Sequence, residues 1–241
     1  MVKIALNAGH GRYTAGKRCL QALDPNETRE WVLNSRICEK IEEKLKSYKG
    51  YELLRIDDRT GKTDIPLKDR TDKANKWGAD VYIAIHANAG DPKTYTVVNG
   101  VKCLKGGGIV AITYPKVDNA TTKLQKELYD ALIKHTGLKG NRATPLAKMN
   151  LHECRETRMT AVLLELGFMD SYTDVPIILS DTFANNCANA IVEVLVRKYK
   201  LQKIEATNKI YRVQVGPYGN IDDANATKEK LKALGFDAVV V

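Results

Sequence analysis

The stretch Val2-Lys3-Ile4-Ala5-Leu6-Asn7-Ala8-Gly9-His10-Gly11 decides how this chain is read. It is a short apolar run that ends in a histidine between two glycines. A second run, Val81-Tyr82-Ile83-Ala84-Ile85-His86-Ala87-Asn88, also ends in a histidine. Each reads as a buried strand that stops at a side chain able to bind a metal. In open α/β sheets, ligands sit beyond the carboxyl ends of the strands. Two histidines at two such ends therefore meet in space although they lie far apart in the chain, which points to a metallohydrolase.

Outward from these runs, strand-like and helix-like segments alternate, as expected of an α/β fold with a mainly parallel sheet flanked by helices. The pattern predicts strands over 2–8, 51–57, 80–86, 109–113 and 161–166. It predicts helices over 27–48, 67–77, 119–136 and 181–199. The first helix carries Leu33, Ile37, Ile41 and Leu45 at four-residue spacing, and the last carries Phe183, Cys187, Ile191 and Leu195. Segments 11–26 and 89–107 read as long loops beside strand ends, where binding residues concentrate.

On a helical period, Glu30 falls at the centre of the stripe set by Leu33, Ile37, Ile41 and Leu45. A carboxylate facing the core is costly unless something pairs with it, so Glu30 is the candidate third metal ligand. Glu27, one turn earlier, reads as an exposed first-turn acid. Two imidazoles and one carboxylate with an open fourth position form a catalytic zinc set. Zinc polarises a carbonyl and lowers the pKa of bound water to about 7. Hydrolysis also needs a group to take a proton from water and return it to the leaving amine. Glu165, inside the apolar run Val162-Leu163-Leu164-Glu165-Leu166, fits that role, because burial raises a carboxyl pKa. The competing reading of Glu165 is a buried ion pair with Arg155 or Arg158. Of the other histidines, His135 reads as surface and His152 as a lesser substrate-contact candidate.

Composition bounds the rest. The chain has 241 residues, 44% of them hydrophobic, enough for a packed core. No apolar run approaches the ~20 residues that span a bilayer, so no membrane insertion is expected. Charged Lys3 inside the first strand-like run argues against a signal peptide, and synthesis in the cytoplasm is expected. The net charge of +9 suits residence near an anionic wall or a simple lysine-rich surface. The basic residues are spread along the chain without a zinc-finger or RNA-binding signature, so nucleic acid is not an expected partner. The five cysteines, Cys19, Cys38, Cys103, Cys154 and Cys187, form no C-x-x-C pair. A disulfide framework and a zinc knuckle are both disfavoured, and Cys38 and Cys187 fall on apolar stripes.

These residues resemble the zinc-dependent N-acetylmuramoyl-L-alanine amidases used as bacterial autolysins and phage endolysins. Asn7-Ala8-Gly9-His10-Gly11 resembles the family's D-P-G-H-G, with Asn and Ala in place of Asp and Pro. Glu30-Trp31-Val32-Leu33-Asn34 is similar to its helix-opening Glu with Asn four residues on. Arg70 through Asn75 resembles R-x-x-x-A-N, and Ile85-His86-Ala87-Asn88-Ala89 resembles S-I-H-x-N-A. Arg155-Glu156-Thr157 through Phe168 resembles R-E-T…P-A-x-L-x-E-x-G-F, with Thr160 in place of Pro. The resemblance spans residues 2–199. It implies a sheet of about six strands, one Zn2+ per chain on His10, Glu30 and His86, and Glu165 as acid–base. It implies cleavage of the amide between N-acetylmuramic acid and L-alanine, with Asn88 and Arg155 touching substrate.

Composition shifts at 201–209, which reads as a linker between a catalytic domain (1–200) and a small module (210–241). Tyr211 through Gly216 alternates as a strand, 222–234 as an amphipathic helix, and 236–241 as a closing strand. This β-α-β unit resembles one half of a sporulation-related (SPOR) repeat, which implies glycan binding. With one half read, pairing of two chains through this module is expected, the alternative being a truncated C-terminus. The alternatives are a wall-binding protein with a degenerate amidase domain, and a zinc peptidase acting on stem peptides. In every case the partner is peptidoglycan, reached after holin-mediated release or mother-cell lysis.

Overall fold

A computed structural model describes residues 1–205 and 213–241. The chain divides into two compact units, Met1–Ile204 and Glu205–Val241.

The strands of the first unit are, in chain order, β1 (Val2–Ala8), β2 (Tyr48–Lys49), β3 (Tyr51–Arg55), β4 (Val81–Asn88), β5 (Thr96–Val98), β6 (Val101–Cys103), β7 (Ile109–Thr113), β8 (Leu146–Lys148), β9 (Thr160–Phe168) and β10 (Gln202–Lys203). The helices are α1 (Glu30–Leu45), α2 (Leu67–Trp77), α3 (Asn119–Thr136), α4 (His152–Arg155), α5 (Val175–Ile178) and α6 (Asp181–Tyr199).

Six strands form the central sheet in the order β3-β1-β4-β9-β7-β8. β3, β1, β4 and β9 run parallel, and β7 lies antiparallel to β9. The expected α/β architecture with a mainly parallel sheet is the one found. β1 and β4 are buried along nearly their whole length because helices cover both faces. Ile4, Leu6, Ile83 and Ile85 pack with the stripes of α1, α3 and α6. Ala5, Tyr82 and Ala84 pack on the other side with Ala74 of α2 and Cys154 of α4. Full burial of each large aliphatic chain in these layers contributes about 1.5–3 kcal/mol. All five cysteines are buried and free.

α2, α3 and α6 begin and end where the periodicity places them. α1 is shorter than the expected 27–48 and begins at Glu30, because Glu27 adopts φ 46° and Arg29 is extended. Glu27 instead pairs with Arg18 at 2.8 Å. The segment expected as a loop over 89–107 contains the β5–β6 hairpin. Residues 202–203, expected in the linker, pair with β2 within the first unit. Strands this short carry too few residues for a period to be read.

Among its described residues, the second unit contains one helix, α7 (Ile221–Ala233), with Asn220 capping it through Asp223 N–H at 2.9 Å. This is the helix of the expected β-α-β unit. The first expected strand lies partly outside the described residues. Residues 213–216 and 236–241 are described and carry no strand. A strand needs a neighbour for its backbone groups, and within these residues Val213, Phe236 and Val239 are exposed rather than packed.

Candidate metal centre

The site forms where β1, β4 and β9 end. Chain connections leave β1 towards β3 on one side, and β4 joins on the other, so a crevice opens above β1 and β4. Ala8 is the register partner of Ile85, and Gly9 N–H donates to Ile85 O at 2.9 Å. Gly9 therefore lies directly against the ring of His86. A Cβ built on Gly9 falls 2.1 Å from His86 Cε1, which no real contact allows. His10 follows with φ 64°, a left-handed conformation that turns its side chain back over the strand ends. The two rings meet edge to face, with centroids 5.1 Å apart.

Glu30, the first residue of α1, is 1% exposed. Its Oε1 lies 3.1 Å from His86 Nδ1 and accepts Ala87 N–H at 3.2 Å. Its Oε2 lies 3.4 Å from His10 Nε2 and 3.8 Å from Lys17 Nζ. Asn34, one turn along α1, donates to Gly9 O at 3.3 Å and to Glu30 Oε1 at 3.4 Å, tying the helix to the histidine loop. One ligand atom from each of His10, Glu30 and His86 lies within 4.8 Å of the others. Glu30 Oε2 is buried with no hydrogen-bond partner. A desolvated carboxylate oxygen left open beside two imidazoles is suited to a cation.

The electrostatics agree. Burial pushes the Glu30 carboxyl up, but His86, His10 and Lys17 outweigh it and hold Glu30 below the ordinary value. Burial lowers His10. Burial would lower His86 too, but hydrogen bonds to Glu153 and Glu30 hold it above the usual imidazole range.

Glu165 enters from β9 as the register partner of His86. It is half-buried, and its Oε2 is shut off from solvent without a hydrogen-bond partner. Burial pushes its carboxyl up to about 7, against the lowering effect of His86. None of the described ion pairs joins it to Arg155 or Arg158.

Comparison with known proteins decides what this geometry belongs to. The sequence profile of the N-acetylmuramoyl-L-alanine amidase family matches residues 4–197. The chain belongs to that family. A second profile, the SPOR domain, matches residues 188–241. The chain is 29% identical over its whole length to the sporulation-specific N-acetylmuramoyl-L-alanine amidase of Bacillus subtilis, covering 85% of that protein. It is 30% identical over its whole length to the amidase CwlM of Bacillus licheniformis, again covering 85% of the relative. An endolysin of Bacillus phage SPP1 is 29% identical over 82% of the chain and 66% of its own length. Among solved structures, an N-acetylmuramoyl-L-alanine amidase from Clostridium difficile superposes with TM-score 0.69 at 24% identity, over 83% of this chain and 97% of that one. The catalytic domain of CwlV from Paenibacillus polymyxa gives 0.67 at 23%, over 83% and 99%. These superpositions show the shared fold.

The departures from the amidase motifs have identifiable places in the structure. Ala8, where the motif has Pro, donates its N–H to Asp57 Oδ1 at 3.1 Å, a bond proline cannot make. Thr160, also in place of Pro, pairs with Val81 at the far end of β9 from the site. Arg70 is buried and holds the histidine loop from below. It donates to Asn7 Oδ1 at 2.6 Å, Ala8 O at 2.9 Å and His10 O at 3.0 Å.

Asn88 and Arg155 of the amidase motifs fall outside the cluster, as do His135 and His152. Asn88 ends β4, where its Oδ1 accepts Ala89 N–H at 2.8 Å. Arg155 is exposed, and its guanidinium is held by Glu156 at 2.6 Å and Asn150 at 2.7 Å. His152 lies 3.3 Å from Thr71 Oγ1, and His135 pairs with Glu193 at 2.7 Å. Two residues at the site escape sequence reasoning. Lys17 sits in an irregular loop, and Glu153 sits on a single-turn helix with no period to place it. The only signal for Glu153 is an acid next to His152, and that is weak.

Proposed function

We propose that His10, Glu30 and His86 hold one zinc ion and that Glu165 serves as the acid–base in hydrolysis of peptidoglycan. The amidase and SPOR families imply that the chain binds peptidoglycan. The bond cut is the amide between the lactyl group of N-acetylmuramic acid and L-alanine, the bond named by the family and by its relatives. The observation that carries the metal reading is the buried Oε2 of Glu30, which has no hydrogen-bond partner, on a carboxylate whose two oxygens face His10 and His86.

Zinc bound there supplies a Lewis acid for the carbonyl and brings the pKa of water towards 7. The protein's own groups do the rest. Glu30 and the two imidazoles would supply the three protein donors to that ion. Glu165 removes a proton from the attacking water. The same carboxyl, with a pKa near neutrality, then delivers that proton to the alanine nitrogen as the C–N bond breaks. The products are a lactyl carboxylate and a free L-alanine amino terminus. The support for Asn88 as a substrate contact is its motif and its position at the carboxyl end of β4. The support for Arg155 in that role is its motif alone.

The SPOR-like module would tether the enzyme to glycan strands and raise the local substrate concentration without new chemistry. The sporulation amidase and the phage endolysin among its relatives support lysis of a Gram-positive wall as the setting. No helix among the described residues is long and apolar enough to cross a membrane. Pairing of two chains through 210–241 belongs to the same proposal, supported by the exposed Val213, Phe236 and Val239. Sedimentation of the full chain over a range of concentrations tests it, and a monomer throughout removes it.

Mass analysis of digested peptidoglycan tests the bond assignment. Intact glycan with new amino termini on L-alanine supports the amidase. New termini elsewhere in the stem would make it a peptidase, and wall binding without release would make it a degenerate binder.

A further inference from the structure

Glu153 has no part in the metal cluster or in the proton transfers above, yet it touches His86 from behind. It lies on α4 and is 4% exposed. Its Oε2 is 3.3 Å from His86 Nε2, while the other ring nitrogen, Nδ1, faces Glu30 at 3.1 Å. The imidazole is therefore held between two carboxylates, one on the cluster side and one on the far side. Glu153 is itself held, because its Oε1 accepts from Asn7 Nδ2 and from Tyr82 OH, each at 2.5 Å.

A neutral imidazole that gives one nitrogen to a metal carries its proton on the other. A carboxylate accepting that proton sets the tautomer, holds the ring plane and makes the ligating nitrogen more basic. Glu153 is built for that role, with both oxygens engaged and no freedom to turn away. The geometry also accounts for Asn7, which stands where the family motif has Asp. Asn7 accepts from Arg70 on its carbonyl side and donates to Glu153 on its amide side. An aspartate would offer Glu153 no donor and would set two carboxylates face to face.

We infer that Glu153 is a positioning residue that holds His86 with Nδ1 towards the metal and Nε2 protonated, and that Asn7 is the donor that orients it. This rests on the reading of His86 as a zinc ligand. A purely structural Glu153 would serve only to satisfy Asn7 and Tyr82.

The test uses the full zinc-loaded chain. The zinc dissociation constant is measured by competition with a chromogenic chelator for wild type and Glu153→Gln. Long-range 1H–15N NMR of wild type then reports which nitrogen of His86 carries the proton. The inference expects zinc binding to weaken about 10–100-fold in the variant, with the circular dichroism spectrum unchanged. It expects a protonated Nε2 and a metal-bound Nδ1 in wild type. A variant that binds zinc as tightly as wild type overturns it. So does a wild-type spectrum with the proton on Nδ1, which decides the matter even where the variant fails to fold. Wild type that binds no zinc would refute the metal reading itself, a separate and visible failure.

Discussion

His86 and Glu165 are register partners across β4 and β9. Paired residues of neighbouring strands point to the same face, so a proposed ligand and the proposed acid–base emerge side by side from the sheet. Neither depends on a loop for its position. This relationship separates two roles that mutation can also separate, metal holding and proton transfer.

Glu165→Gln should keep the metal and lose the chemistry. Its amide is the same size but cannot take a proton from water. Turnover is expected to fall about 10²–10⁴-fold, with zinc content by atomic absorption still one per chain. His10→Ala and His86→Ala should lose both together. Loss of zinc in Glu165→Gln would move Glu165 from acid–base to ligand.

The same substitution should stabilise the metal-free protein at alkaline pH. The Glu165 carboxyl is raised from 4.5 to about 7, so the folded state holds its proton more tightly than the unfolded chain. The stability this gives is present below about 4.5 and is lost as pH rises through about 7. Glutamine carries no such cost. Urea midpoints of wild type and Glu165→Gln, both without metal, should therefore diverge between pH 5 and pH 8, with the variant the more stable. The gap is expected to be on the order of 1–3 kcal/mol. A constant gap across that range would contradict the burial of the charge.

Gly9→Ala should damage the centre although it adds only a methyl group. That methyl would fall inside the His86 ring, with Cε1, Nδ1 and Nε2 all closer than 2.6 Å. The ring must move away from Glu30 or the strand ends must part. Overpacking of this kind costs about 1–3 kcal/mol, and zinc affinity should fall with it. Thermal unfolding with and without zinc measures both effects. An unchanged zinc-induced shift would show that the ring does not need its present position.

A chain ended after Ile204 should keep zinc and cleave soluble muropeptides as the full chain does, because the cluster and its supporting strands lie within Met1–Ile204. Its co-sedimentation with purified walls should drop. Equal wall binding would mean that the SPOR-like residues contribute nothing to adhesion.

Much of this was readable from the residues, for reasons that differ by element. The runs ending in His10 and His86 are mostly apolar, broken in the first only by Lys3 and Asn7, because both faces of β1 and β4 are covered, and such runs stand out. Glu30 was legible as a charge on an apolar stripe, and Glu165 as a charge in an apolar strand. Glu153 was not legible, because its burial comes from contacts with Asn7, Tyr82 and His86, all distant in sequence. The start of α1 is not readable from the sequence, because Glu27 keeps a helical spacing while its backbone turns left-handed. The strands expected at 213–216 and 236–241 alternate correctly, but alternation does not supply the neighbour a strand requires.

A zinc amidase with distinct metal site and acid–base makes one sharp demand on activity. Its most direct test is digestion of purified peptidoglycan by wild type and Glu165→Gln, each chelated and then resupplied with zinc. Wild type should release new L-alanine amino termini only with zinc restored, while Glu165→Gln should rebind zinc and release almost none. Full activity of the chelated wild type, or of zinc-loaded Glu165→Gln, would contradict it.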